Sequence, residues 1–146
     1  MKNINEPPTP VGKLISQTIA MPRETNANGD IFGGWVLSQM DLAGGIAAGQ
    51  RAEGRVVTIA VDKMKFIQPV HVGELVTFLA QVNFAGRTSM EVGIKVITEN
   101  ILEKSERHTN SCFFTMVAVD EHGKPCAVPE LPLLNEKDRQ RSVTAQ

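Results

Sequence analysis

The sequence has few cysteines and few histidines. Its 146 residues include only two cysteines, Cys112 and Cys126, which match neither a disulfide framework nor the ligand spacing of a metal site. The three histidines, His71, His108 and His122, are scattered along the chain, and a lone histidine is more often structural than catalytic. We therefore expect no metal, no cofactor and a reducing, cytoplasmic compartment.

Net charge and long apolar runs are also lacking. A net charge of -1 gives no electrostatic case for binding nucleic acid or an anionic membrane surface. No signal peptide or membrane-spanning segment is visible, because residues 1–12 are polar and proline-rich and the main apolar stretch is interrupted by Asp41 and by glycines. We expect a protein that binds neither nucleic acid nor membrane.

The length suits one ordinary domain and is too short for two. Residues 1–12 are expected to form a flexible N-terminal arm, and residues 13–128 a single domain. From residue 129 onward prolines give way to charged residues, so we expect residues 129–146 to be a poorly ordered tail or a short surface helix.

Residues 26–49 form the stretch around which the chain is organised, a loop followed by a segment that is apolar on nearly all sides. That pattern predicts a helix buried all round. Asp41 is the exception in this segment, because a buried carboxylate is costly unless it is partnered or wetted. Gly44 and Gly45 leave the helical face beside Asp41 almost without side chains. The sequence therefore predicts an open slot with an acid in its floor.

The remainder of the chain has the pattern of strands. We predict them at residues 13–21, 55–62, 64–67, 75–84, 89–98 and 109–119. One apolar helix beside antiparallel strands is most simply buried when the sheet curls around it, which is the hot-dog fold of the α+β class. A lone sheet leaves exposed edges, so we expect two copies to pair edge to edge through residues 55–62.

Three segments carry a specific resemblance. Residues 26–35, 39–41 and 54–58 closely resemble the YciA group of acyl-CoA thioesterases in the hot-dog superfamily, and the similarity extends from residue 15 to residue 125. It implies hydrolysis of acyl-CoA to free fatty acid and CoA, often with broad acyl preference, by a hexamer built as a trimer of dimers. The wider superfamily often has His before the paired glycines, where this sequence has Phe32, so the carbonyl would depend on backbone N–H groups.

Thioester hydrolysis needs a group that attacks or activates water and a donor for the developing oxyanion. Asp41 matches the family's catalytic acid, and the sequence leaves open whether it acts as a general base or as a nucleophile through an anhydride. Gly33 matches the oxyanion position, at a helix N-terminus where an N–H group is unpaired and the dipole favours negative charge. Asn28 precedes it and is a candidate to orient the water or the acyl carbonyl.

Each of these residues also has a purely structural interpretation. Asp41 would then be a buried carboxylate satisfied within the chain, since structural networks also hold acids. Gly33 and Gly34 would serve only close packing, Asn28 only a turn, and Asp30 only a helix cap.

The CoA end needs a partner for its phosphates and a channel for pantetheine. Arg87, Thr88 and Ser89 offer a cation and two hydroxyl groups at a turn, and a plain hairpin is the alternative. Gly34 and Thr58 complete the candidate substrate-binding residues, with Thr58 in the strand expected to pair with a partner chain.

A non-catalytic acyl-CoA sensor or binding module on the same fold is the alternative function. Such a regulator would normally need a DNA-reading element, for which residues 1–12 are too short and not basic enough. A dehydratase of this fold would want a catalytic His in or before the helix, and this segment has none. Asp41 in an apolar setting favours hydrolysis over binding alone. The expected partners are acyl-CoA, CoA and further copies of the chain.

Overall fold

The computed structural model describes residues 12–130. This part of the chain forms one long helix and one five-stranded antiparallel sheet. The elements are β1 (Lys13–Ile19), α1 (Gly33–Ala52), β2 (Arg55–Phe66), β3 (Leu75–Ala85), β4 (Ser89–Asn100) and β5 (Ser105–Val119). A short 3-10 helix, Pro22–Glu24, lies in the predicted loop before α1. The expected arm, residues 1–12, and the expected tail, residues 129–146, lie outside the described residues except for Gly12, Pro129 and Glu130.

The strands are ordered β1-β3-β4-β5-β2, so β1 and β2 are the two edges. The prediction that residues 55–62 form an edge strand is confirmed. Strands β3, β4 and β5 bury alternate residues, as the two-residue period of a strand requires when one face is covered.

The core lies between α1 and the face of the sheet that curls over it. The helix contributes Val36, Met40, Ala43 and Ala48, and the sheet contributes Val76, Phe78, Val92, Ile94, Phe114 and Met116. Each large apolar side chain buried in this way stabilises the fold by roughly 1.5–3 kcal/mol. The predicted α+β hot-dog arrangement, a sheet wrapped around a central helix, is confirmed.

The prediction that the helix is buried on all sides is wrong for the single chain. Leu42 and Ile46 on α1 are 63% and 47% exposed, and Ile59 and Phe66 on the neighbouring strand β2 are 62% and 60% exposed. The sheet supplies one layer only and covers one side of the helix. Because β2 is an edge strand, the side of α1 next to it stays open.

Strand β2 also differs from its prediction as two strands. Residues 55–66 form a single strand that pairs with β5, with an irregularity in register between Asp62 and Lys65. Lys63 within the irregularity has a left-handed backbone, φ 53°. A bulge of this kind inserts one residue, so side chains that pointed inward before it point outward after it, while the strand stays paired before and after the bulge. In the sequence, this shift in alternation resembles the end of one strand and the start of another.

Candidate active site

Asp41 lies on the open side of α1. Thr58 Oγ1 on β2 donates a hydrogen bond to Asp41 Oδ1 at 2.5 Å. Both residues are exposed in the single chain, so the alternative of Asp41 as a buried carboxylate does not hold there. Met40 beside it is fully buried, because successive residues of a helix point to different sides. The carboxylate is thus held by one hydroxyl group in a region where α1 and β2 also expose apolar side chains.

Cys112 on β5 is close enough to Asp41 for the two side chains to interact electrostatically. Burial, and secondarily the charge of Asp41, raise the pKa of the Cys112 thiol from 9.0 to about 12. The thiolate is the reactive form of cysteine, and this thiol stays protonated near neutral pH. Of the two neighbours, Asp41 is therefore the group able to attack a thioester or to activate water.

The two glycines that follow Asp41 have different surroundings. A Cβ atom added at Gly44 would lie 2.9 Å from Cε of Met116 and 3.2 Å from Cδ1 of Ile94, whereas one added at Gly45 meets nothing within 4 Å. The prediction of a helical face without side chains beside Asp41 therefore holds at Gly45 and fails at Gly44. Gly44 serves close packing of the helix on the sheet, and Gly45 leaves open space beside the carboxylate.

The N-terminus of α1 presents free N–H groups. The helix begins at Gly33, and Phe32 at the N-cap position provides no side-chain cap. The N–H groups of Trp35 and Val36 both donate to the Phe32 carbonyl oxygen. In the part of the chain that the structure describes, no acceptor meets the N–H groups of Gly33 and Gly34. An uncapped helix N-terminus of this kind favours an anion.

Gly33 is also needed for packing. A Cβ atom there would lie 2.7 Å from Cε1 of Phe66, whose ring covers the glycine, whereas a Cβ at Gly34 meets nothing within 4 Å. Sequence reasoning missed this contact. Phe66 lies at the end of a strand far along the chain, and no local pattern identifies its partner.

Asn28 lies in the loop before the helix, in a turn closed by its neighbours. Its N–H group donates to Oδ1 of Asn26 at 2.9 Å, and Gly29 has the left-handed φ of +86° that this turn requires. Among residues 12–130 no hydrogen bond occupies the exposed Asn28 side chain.

The suggestion that Asp30 caps the helix is wrong, because its carboxylate lies 3.2 Å from Nδ1 of His71.

Arg87, Thr88 and Ser89 occupy the turn between β3 and β4 and the start of β4. The Arg87 carbonyl accepts from the N–H of Val128 and the Thr88 carbonyl accepts from the N–H of Ala118, so the turn is anchored to the end of β5 and the segment beyond it. The Arg87 side chain is exposed and, within the described residues, makes no ion pair. Its guanidinium is free to bind an anion.

A surface cavity of about 320 Å³ adjoins this turn. Its lining combines acidic, basic and aromatic side chains: Asp62, Lys63, Phe84, Ser89, Met90, Glu91, Phe113 and Thr115. Lys63 lies over the Phe113 ring, with Nζ 5.8 Å from the ring centre.

The sheet register divides the candidate residues into two groups. Met90, Met116 and Thr58 lie in one row across β4, β5 and β2, so Ser89 is one residue from the row that carries Thr58. Arg87, Thr88 and Ser89 therefore lie at the same end of the sheet as Asp41 and Thr58. Asn28, Gly33 and Gly34 lie at the other end of β2, where Phe66 covers the helix N-terminus.

Distance along the helix leads to the same division. Gly33 and Asp41 are eight residues apart on α1, which separates their backbones by about 12 Å at 1.5 Å per residue. An aspartate side chain is too short to close that gap. The single chain does not bring the candidate base and the candidate oxyanion donor to one carbonyl group.

In residues 12–130, no group of three or more His, Cys, Asp or Glu side chains is arranged to hold a metal ion. Nor does any helix in this part of the chain combine the length and the apolar character that crossing a membrane requires.

Known proteins resemble this chain along most of its length. The family model described as the thioesterase superfamily matches residues 28–104, which include the loop, α1 and strands β2 to β4. The acyl-CoA thioester hydrolase YciA of Escherichia coli K12 is 46% identical over 123 residues, which are 82% of this chain and 93% of that protein.

Solved structures have the same fold. A hexameric thioesterase from Yersinia pestis is 45% identical with a TM-score of 0.80, and the match covers 84% of this chain and 99% of that one. A variant of a hexameric broad specificity acyl-coenzyme A thioesterase is 38% identical, also with a TM-score of 0.80, over 91% of this chain and 96% of that one. On these grounds the chain belongs to the thioesterase superfamily and has its hot-dog fold.

Proposed function

We propose that this protein hydrolyses acyl-CoA to a free fatty acid and CoA, with broad tolerance for the acyl group. The observation that carries the proposal is the exposed Asp41 carboxylate, held by Thr58 beside exposed apolar side chains of the helix. The relatives are acyl-CoA thioester hydrolases by name, and one of the similar structures is that of a broad specificity enzyme.

In the proposed reaction Asp41 takes a proton from water, and the resulting hydroxide attacks the thioester carbonyl carbon. The C–S bond then breaks, and the CoA thiolate leaves and takes up the proton. The alternative is direct attack by Asp41, which would form an anhydride that water then opens. In both routes the free N–H of Gly33 stabilises the oxyanion, and Asn28 orients the water or the carbonyl.

Two copies of the chain would complete each site. Two-fold symmetry requires the β2 edges to pair antiparallel, which brings the Thr58 end of one strand toward the Phe66 end of the other. Asp41 of one copy would then face Gly33 of its partner. The exposed apolar surface along α1 and β2 supports this pairing, and the hexameric relatives support further assembly into a trimer of dimers.

The nucleotide end of CoA would lie at the turn that carries Arg87, Thr88 and Ser89. The exposed guanidinium would pair with a phosphate, and the hydroxyl groups would add hydrogen bonds. Gly34, with open space around it, would let the thioester approach the helix N-terminus. We place the reaction in the cytoplasm, which is supported by two cysteines that form no disulfide.

The test is substitution of the proposed base. Asp41→Asn keeps the shape and should lower turnover of acyl-CoA by at least ~10²-fold while the fold and the affinity for CoA are retained. Release of CoA would be followed with a thiol-trapping reagent over a series of acyl chain lengths. Glu103→Gln, which neutralises an exposed carboxylate in the turn between β4 and β5, is the control and should turn over at the parent rate.

Two outcomes would contradict the proposal. Full activity of Asp41→Asn would make Asp41 structural. Tight binding of acyl-CoA by the parent protein without release of CoA would favour the alternative, a binding module on the same fold.

A further inference from the structure

The loop that leads into Gly33 is held by the loop between β2 and β3. The N–H of Ile31 donates to the Val70 carbonyl oxygen at 3.0 Å. One residue away on each loop, Asp30 Oδ1 lies 3.2 Å from His71 Nδ1. Two adjacent contacts, one between backbones and one between side chains, therefore fix the approach to the helix N-terminus.

The second loop is itself anchored to the sheet. Glu74 is only 5% exposed, and Arg107 Nη2 on β5 donates to both of its carboxylate oxygens at 2.6 and 2.5 Å. Glu74 Oε1 also accepts a hydrogen bond from the His71 N–H at 2.7 Å, and Arg107 Nη1 donates to the Pro69 carbonyl at 3.0 Å. The backbone of His71 is therefore tied through Glu74 and Arg107 to β5, an interior strand of the sheet.

We propose that His71 and Asp30 are positioning residues for the oxyanion donor of the proposed hydrolysis. Arg107 and Glu74 fix His71, His71 holds Asp30, and Asp30 is three residues from Gly33. This inference rests on the proposed function of Gly33. Contacts of this kind matter for turnover because small displacements of an oxyanion donor weaken its contact in the transition state.

The pair is poorly suited to a role in stability alone. Its side chains are 54% and 40% exposed for His71 and Asp30, and ion pairs that open to solvent contribute little to folding. The buried Glu74–Arg107 pair and the core hold the fold without it. Loss of the pair should therefore change the position of the loop much more than the stability of the protein.

The experiment compares His71→Ala, Asp30→Ala and the double variant with the parent. We expect kcat for acyl-CoA to fall about tenfold in each, while KM stays within about twofold because the CoA end binds elsewhere. The double variant should be no slower than the single ones, because both remove the same contact. Thermal unfolding should shift by less than a few degrees.

Two further variants sharpen the comparison. His71→Asn places an amide N–H near the position of Nδ1 and should recover most of kcat. His122→Ala removes a histidine from an exposed contact with Glu121, 3.5 Å apart, and should have parent kinetics. Amide hydrogen exchange of residues 26–33 should be faster in His71→Ala than in His122→Ala.

Parent kcat in His71→Ala, or losses that multiply in the double variant, would overturn the inference. If the parent protein hydrolyses no acyl-CoA, the proposed function fails, and hydrogen exchange then decides the positioning on its own. Faster exchange of residues 26–33 in His71→Ala would support it, and unchanged exchange would overturn it.

Discussion

At the scale of single residues, Asp41 lies on the helix among apolar neighbours and is exposed in the single chain. An apolar pattern shows which side chains avoid water and not which chain covers them. Leu42 and Ile46 have the composition of a core and stay exposed in the single chain. The sequence could not distinguish a surface covered by its own sheet from one left for a second copy.

Contacts between residues far apart in the chain could not be predicted from the sequence either. Phe66 against Gly33, and His71 against Asp30, depend on which loops and strands become neighbours in space. The position of Thr58 was easier to anticipate, because a strand that follows the helix directly tends to lie beside it. Its hydroxyl group does reach Asp41.

Removal of that hydroxyl group tests its role. Thr58→Val keeps the branched shape and removes the donor to Asp41, so the carboxylate loses its fixed orientation. We expect kcat to fall about tenfold with little change in KM. Thr77→Val is the matched control, because Thr77 is a strand threonine that accepts a hydrogen bond from Gln17 near the other sheet edge. Equal kinetics for the two variants would remove Thr58 from the site.

At the scale of elements, the order and type of the strands and the helix could be predicted from the sequence. Strand-like segments separated by turn residues identified β3, β4 and β5, although β5 begins at Ser105 rather than at residue 109. The division of β2 was the main error. Its bulge shifts the alternation by one residue, and a sequence pattern cannot separate a bulge from the end of a strand.

The turn between β3 and β4 carries the next prediction. Arg87→Ala should raise KM for acyl-CoA severalfold and leave kcat nearly unchanged, since a phosphate contact is made equally in the ground and transition states. The variant should also show weaker dependence of KM on salt. Lys13→Ala, on the opposite edge strand, removes the same charge and should behave as the parent. If KM of Arg87→Ala equals the parent value at every salt concentration, Arg87 belongs to the hairpin alone.

At the scale of the whole molecule, α1 and the edge strand β2 both expose apolar side chains. Leu42 and Ile46 are exposed on the helix, and Ile59, Val61 and Phe66 on the strand. Apolar side chains exposed beside an unpaired strand edge mark a place where a second chain is expected. The same surface carries Asp41 at one end and Gly33 at the other, so the proposed pairing and the proposed chemistry use one surface.

Mixing two inactive proteins tests whether sites are shared. Asp41→Asn lacks the base. Gly33→Pro lacks the N–H donor at the first helical position, where the backbone angle of proline fits but the Phe66 ring must move aside. In a mixed pair both lesions would fall in one site and leave the other intact. We therefore expect subunit exchange to restore up to about half of the parent activity per mixed dimer.

The control for this experiment is each variant mixed with itself, and circular dichroism would establish that Gly33→Pro is folded. Formation of mixed pairs would be confirmed by mass. Mixed pairs without activity would mean that each chain works alone, and the antiparallel pairing proposed for β2 would then need another purpose.

The separation of Gly33 from Asp41 along one helix also has a consequence for how the rate of hydrolysis depends on the concentration of the protein. If two chains make each site, dilution below the dissociation constant of the pair should make the rate fall with the square of protein concentration, not in proportion to it. A cell making little of the protein would then have almost none of its activity, and a modest rise in synthesis would switch it on. The distance between the two groups along the helix would thus make the activity depend on how much of the protein the cell contains.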